Sequence, residues 1–422
     1  MIPFEKHIYK NGLRLITAPL EGTEAVTCLV LVGTGSRYES DNIAGISHFL
    51  EHMFFKGAER YKNTKEVSEA IDSVGGDFNA FTGKEYTGYY IKVAKQHLTL
   101  SLDILSDMML NASLPEKEAE KERGVIIEEI NMYEDTPMIK VEEDFEELMF
   151  GKHPLGRSIA GTKQTVSATT REALQKYRQT HYRAGNIVIA ISGALNQDTI
   201  QDLVARYFAF EEEPFEHKYQ KYSAQARPLL KLIEKDTEQA HLILGVPACS
   251  SAENAKYPSK LLATILGGSM SSRMFMKIRE EKSLCYYVSS STDHYLDTGL
   301  FTTRAGVDLT RIEDAVQAIK DEYLLAAQEG FTEQELQKAK DYIRGKTVLR
   351  LEDSEALASL LAMQELLYNE LLSPEELLAK YDEISLKEVN ALAQKLFQKD
   401  LLHLTLIAPK RDAGELERIL KS

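Results

Sequence analysis

The order of elements legible in this chain runs through once and then begins again, and this recurrence restricts the fold more than any single motif. In the first half, Asn11-Gly12 sits between the short runs His7–Tyr9 and Leu13–Ala18, the signature of a tight hairpin turn. Val26–Val32 is an apolar strand, followed by a helix that carries His48 and His52. Next come a helix over Thr64–Val74, a break at Gly75-Gly76, strands at Phe78–Thr82 and Tyr86–Val93, and helices over Leu98–Leu110 and Glu116–Tyr133. A further helix leads to the loop His153–Arg157, and the half closes with a helix over Thr170–His181, a strand at Ile187–Ser192 and a helix over Gln197–Phe208.

Glu211–Pro228 is charged, aperiodic and holds two prolines, which reads as a linker between domains. After it the order resumes: strands at Leu229–Ile233 and His241–Val246, then a helix over Pro258–Leu266 where the His-bearing helix stood. A strand at Phe301–Ala305 and helices over Arg311–Glu329 and Thr332–Leu351 follow, the last opened by Thr332 and Glu335 as a capping box. The strand His403–Ala408 and the helix Ala413–Leu420 match the end of the first half. The expectation is an α+β chain built by tandem duplication, with domains at 1–210 and 229–422 joined by a linker at 211–228. Each domain would be a mostly antiparallel sheet packed with helices, because hairpins and irregular alternation disfavour a doubly wound parallel sheet.

Composition narrows the function classes. A formal net charge of -15 argues against nucleic acid as a partner, since phosphate binding rests on clustered Lys and Arg. The same charge suits cationic partners such as basic peptides, although many proteins are acidic for solubility alone. The 3 cysteines form no disulfide framework and no CxxC pair. No stretch of about 18 apolar residues is present to span a membrane, and Met1–His7 has no signal-peptide pattern. The expected setting is therefore reducing and cytoplasmic.

The chemistry is concentrated in His48-Phe49-Leu50-Glu51-His52. Side chains at i and i+4 share one helix face, and two neutral imidazoles at that spacing can hold one Zn²⁺ at about 2.0–2.1 Å. Glu51 lies near the same face, placed to take a proton from a water that the metal polarises. H-x-x-E-H is the inverted zinc-protease arrangement. A catalytic zinc needs a third protein ligand, and the helix Glu116–Tyr133 offers Glu116, Glu118, Glu120, Glu122, Glu128 and Glu129. Seven residues make nearly two turns, so Glu122 and Glu129 share a stripe. Gly124-Val125-Ile126-Ile127 reads as the apolar side that buries this helix. The bland alternative is a solvated glutamate face and a chance histidine pair.

Across essentially the whole chain the motifs resemble the pitrilysin-type peptidases, most closely the short bacterial members related to mitochondrial processing peptidase. Gly45–Gly57 is similar to the family's zinc helix, Phe78–Thr82 with Glu85 and Tyr89 to its substrate-pairing strand, and Glu122–Ile130 to its third-ligand helix. His153–Arg157, Gly161-Thr162 and Leu266–Arg273 with Ile278-Arg279-Glu280, Leu284, Tyr286 and Val288 extend the likeness. The resemblance implies one Zn²⁺ per chain on His48, His52 and Glu129, with the family's spacing favouring Glu129 over Glu128. It implies Glu51 as general base and Glu122 as the carboxylate that orients a zinc-bound histidine. Asn79 and Ala80 would form the edge to which a peptide adds as a strand, and Arg279 and Tyr286 would bind substrate and stabilise the tetrahedral intermediate. Ser283 and Cys285 depart from the small residues, such as Gly and Ala, that many relatives carry there.

The same resemblance implies half of a clam-shell chamber completed by a second subunit. Because this chain carries both motifs, it implies a homodimer, with a heterodimer with a related chain as the alternative. The expected function is a zinc metalloendopeptidase acting on short, unfolded and preferentially basic peptides, with no nucleic acid and no membrane as partner. The alternatives are a non-catalytic or partner-dependent subunit, and a maturase specific for one precursor peptide.

Overall fold

The hairpin at the start of the chain forms around the turn its sequence encodes. The Gly12 amide donates to the Tyr9 carbonyl at 2.9 Å and the Leu13 amide to Asn11 Oδ1 at 3.1 Å, while Gly12 takes a φ of 87°, which glycine adopts without strain. The computed structural model describes residues 2–216, 218–224, 229–368 and 370–422. Its first sheet has six strands: β1 (Glu5–Ile8), β2 (Arg14–Pro19), β3 (Ala25–Val32), β4 (Asp77–Thr82), β5 (Thr87–Ala94) and β6 (Ile187–Gly193), in the order β1-β2-β6-β3-β5-β4. The second has β7 (Leu230–Glu234), β8 (Ala240–Ala248), β9 (Cys285–His294), β10 (Gly299–Val307) and β11 (His403–Ala408), in the order β7-β11-β8-β10-β9. Without β1, the first order matches the second strand for strand. Each sheet is antiparallel except for one parallel pair, β2 with β6 and β7 with β11. The duplication is therefore present in the topology itself.

Packing does not follow the linear halves. One compact unit comprises residues 1–131, 157–220 and 348–375; the other comprises 132–156, 221–347 and 376–422. In the first unit nearly every residue of β3 is buried, as expected of a central strand covered on both faces. Leu29 and Leu31 pack with Ile16, Val188 and Ala190 against Leu357, Ala358 and Leu361 of the helix Ser354–Met363. In the second unit the helix Pro137–Phe150 lays Val141, Phe145, Leu148 and Met149 against Ile243, Leu300 and Ile407. An amphipathic stripe shows that a helix has a buried face, not which sheet will cover it. The exchange is thus invisible to linear reading.

The described part of 211–228 carries neither helix nor strand, while residues 217 and 225–228 lie outside the described residues. The structure adds helices at Lys163–Ala168, Ser354–Met363, Pro374–Glu383 and Leu386–Leu396, and the strand β9, to the elements the sequence pattern predicts. β9 runs through Ser289-Ser290-Ser291-Thr292 at the sheet edge, where one pairing partner and a half-buried surface suffice without an apolar run. Thr332 and Glu335 form the expected capping box, with the Glu335 amide donating to Thr332 Oγ1 at 3.2 Å and the Thr332 amide to Glu335 Oε2 at 2.8 Å. Among the described residues no helix is long and apolar enough to cross a membrane.

Candidate metal centre

The helix Ile46–Phe54 buries Ile46, Phe49, Leu50, Met53 and Phe54, which leaves His48, Glu51 and His52 to converge on its other side. Its start is tightly held. Gly45 caps it with a φ of 92°, and a Cβ there would sit 2.5 Å from the Ala160 carbonyl oxygen, so only glycine fits. The buried Glu39 carboxylate accepts the amides of Gly45 at 2.7 Å and Ser47 at 2.8 Å, satisfying orphan donors of the first turn. Burial pushes the Glu39 carboxyl up to about 7, against the opposing pull of the Ser47 and Gly45 hydrogen bonds and the Arg157 charge. Beneath the helix, the Tyr177 hydroxyl bonds the hydroxyls of Ser47 at 2.8 Å and Thr34 at 3.0 Å.

The second contributor is the helix Glu116–Asp135, which buries Ala119, Glu122, Ile126 and Ile130. This corrects the expected apolar side: Val125 is 51% exposed, and the buried stripe follows the helical period rather than the contiguous run 124–127. The same geometry turns Glu128 to solvent and Glu129 inward. Glu129 Oε2 lies 3.5 Å from His48 Nε2 and 3.6 Å from His52 Nε2. These gaps are long for hydrogen bonds. They are close to the edge, about 3.3 Å, of a tetrahedron whose centre is 2.0–2.1 Å from each ligand. One ligand atom each from His48, His52 and Glu129 lies within 4.8 Å of the others, the one such group among the described residues. Two imidazoles and a carboxylate are a donor set that suits zinc, so the residues present fit the ion.

Burial, reinforced by the neighbouring His52, pushes the His48 imidazole down to about 4 despite the attraction of Glu129. The ring is therefore neutral at physiological pH, the form a metal requires. Glu122 Oε2 meets His52 Nδ1 at 3.1 Å, which directs Nε2 towards Glu129 and is the carboxylate–histidine pairing that metal sites use to fix a ring. Burial disfavours the Glu122 charge, but hydrogen bonds from His52 and Lys56 outweigh it and hold the carboxyl below the usual range. Glu51 stands beside the group without belonging to it. Thr82 Oγ1 donates to Glu51 Oε2 at 2.5 Å, and burial raises the Glu51 carboxyl, partly offset by that bond.

Asn79 and Ala80 lie on β4, which among the described residues pairs with β5 alone and so forms a sheet edge. The Ala80 amide is taken by Asn79 Oδ1 at 2.9 Å. In the second unit, Arg279 lies on a π-helical turn, Phe275–Glu281, and its guanidinium sits 4.6 Å over the Phe275 ring and 5.8 Å over the Tyr286 ring. Tyr286 is 73% exposed on β9, so it is not a core tyrosine. Between them Ser283 takes a φ of 50°, and the amide of Leu284 returns to the Ile278 carbonyl at 2.9 Å. This is a helix stop that favours glycine, the physical reason a small residue suits the position.

Three participants escaped the sequence reading as functional residues. Lys56 was recoverable, because it stands four residues after His52. The contacts of Thr82 and Glu39 depend on strand register and loop path and left no local signal.

Residues 14–163 match the model described as "Insulinase (Peptidase family M16)" and residues 168–343 that described as "Peptidase M16 inactive domain". A Bacillus subtilis protein named uncharacterized zinc protease YmxG is 35% identical over 386 residues, 92% of this chain and 94% of the relative. A Mycobacterium leprae protein, also named an uncharacterized zinc protease, is 36% identical over 384 residues, 90% of this chain and 86% of the relative. In fold the chain is similar to a Helicobacter pylori protease, with a TM-score of 0.90 at 23% identity over 97% of this chain and 100% of that one. The two matched domains, the relatives spanning nearly its full length and the shared fold together show that this chain belongs to peptidase family M16.

Proposed function

We propose that the chain is a zinc metalloendopeptidase that hydrolyses short, unfolded peptides, with one zinc on His48, His52 and Glu129. The observation that carries this reading is the convergence of those three ligand atoms within 4.8 Å, beside a carboxylate, Glu51, held by Thr82. Zinc bound there would supply Lewis acidity towards water and the scissile carbonyl. The protein's own groups do the rest. Thr82 anchors the Glu51 carboxylate through Oε2, and that carboxylate would take the proton of the attacking water and return it to the leaving amine. Glu122 holds the Nδ1 proton of His52 and with it the ring's orientation. The edge of β4 at Asn79 and Ala80 accepts the peptide as an added strand, and Arg279 and Tyr286 donate to the substrate carbonyl.

Both motifs reside in one chain, which supports a homodimer in which Arg279 and Tyr286 of one copy complete the metal site of the other. A closed dimeric chamber would admit unfolded segments, and the net charge of -15 favours basic ones. The test is cleavage of a quenched basic peptide by the purified chain, beside Glu51→Gln and chelator-treated protein. Cleavage by the wild type alone supports the reading. A zinc-loaded but inactive wild type would instead identify a partner-dependent subunit or a maturase that recognises one precursor.

A further inference from the structure

We infer that Lys56 is a positioning residue for the metal centre, which pins Glu122 so that one carboxylate oxygen faces His52. Resting on the zinc reading above, this extends it to a residue that touches neither metal nor substrate. Lys56 Nζ lies 2.7 Å from Glu122 Oε1, and Glu122 Oε2 lies 3.1 Å from His52 Nδ1. The carboxylate is thus divided, one oxygen for the ammonium and one for the imidazole. The two side chains are 18% and 9% exposed, so solvent screens this pair far less than a surface ion pair.

The backbone that delivers the ammonium is itself fixed. Lys56 follows the end of the His-bearing helix, with its amide on the Met53 carbonyl at 3.1 Å. The next residue, Gly57, has a φ of 137° and leaves no room for a Cβ, which would meet the Lys62 carbonyl oxygen at 2.4 Å. Its carbonyl is held by the amide of Ser113 at 3.0 Å and by the hydroxyl of Ser113 at 2.9 Å. The chain therefore leaves the helix along one path, and Lys56 is directed back at Glu122.

Without the ammonium, Glu122 Oε1 would be a buried carboxylate oxygen without its charged partner. The carboxylate could then turn and offer His52 either oxygen. A metal-bound histidine depends on its outer hydrogen bond for ring orientation and basicity, so a loosened Glu122 weakens the metal site through His52 alone. The role is indirect and must vanish when Glu122 cannot perform it.

The test is a double-mutant cycle on zinc affinity, read by competition with a chromophoric chelator at one fixed pH, using the full chain stripped of metal and reloaded. Lys56→Met should weaken zinc binding by about threefold to tenfold, a fraction of the roughly 10–100-fold expected for losing the outer carboxylate itself in Glu122→Gln. In the Glu122→Gln background, Lys56→Met should have almost no further effect. Lys56→Gln carries the same test if the Met variant does not fold. Unchanged or tighter zinc binding in Lys56→Met, or the same loss in both backgrounds, overturns the inference while leaving the zinc reading intact. Failure of the wild type to bind zinc removes the reading on which it rests.

Discussion

Replacing Glu39 by Gln sets two effects against each other at the start of the His-bearing helix. Burial favours the neutral acid, whereas two amides at 2.7 and 2.8 Å and the charge of Arg157 favour the carboxylate. Burial wins, and the carboxyl rises from 4.5 to about 7. Because the folded value lies above the unfolded one, the folded chain binds more protons between those pH values. The resulting stability is fully present below about pH 4.5 and is lost as pH rises to about 7. The full shift corresponds to about 3 kcal/mol, an upper bound for one site. Glutamine keeps the shape but does not titrate, and its single acceptor oxygen leaves one of the two amides without a partner, which costs about 1–3 kcal/mol at any pH. Thermal melts of metal-free wild type and Glu39→Gln across pH 4.5 to 8 separate the effects, since other titrations cancel in the difference. The wild type should be the more stable at low pH, and its advantage should shrink as pH rises towards 7. An advantage that stays constant or grows with pH would mean that the cap holds Glu39 charged, and the reasoning from burial would be wrong.

Thr82→Val should lower kcat about tenfold, the worth of one hydrogen bond to a charged group, while Thr82→Ser keeps most of the activity; equal rates in both variants would remove Thr82 from the placement of Glu51. Ser283→Gly should raise the melting temperature, because a non-glycine residue at positive φ costs about 1–2 kcal/mol; a lower melting temperature would show that the Ser283 side chain makes a compensating contact.

Helical periodicity places His48 with His52, and Glu122 with Glu129, on common stripes, but it leaves six glutamates open as the third ligand. The choice of Glu129 rests on the family resemblance, and the meeting of the two helices is a tertiary matter. Duplication was legible in the order of elements and reappears in matching strand orders. The contacts that reach across the chain were not legible. Thr82 reaches Glu51 only because β4 stands at the sheet edge in its particular register, and the amides that Glu39 accepts follow from a loop path that no spacing encodes. The helices Pro137–Phe150 and Ser354–Met363 are amphipathic in an ordinary way, yet the sheet each one covers is a tertiary choice. The run Gly124–Ile127 forms no single apolar face, because a helix distributes four successive residues around its axis.

The most direct test of the account is the metal content of the purified chain by atomic emission, comparing wild type, Glu129→Gln and Glu128→Gln. The account predicts close to one zinc per chain in the wild type and in Glu128→Gln, and little in Glu129→Gln. Full zinc in Glu129→Gln, or its loss in Glu128→Gln, would contradict the assignment of His48, His52 and Glu129 as the metal centre.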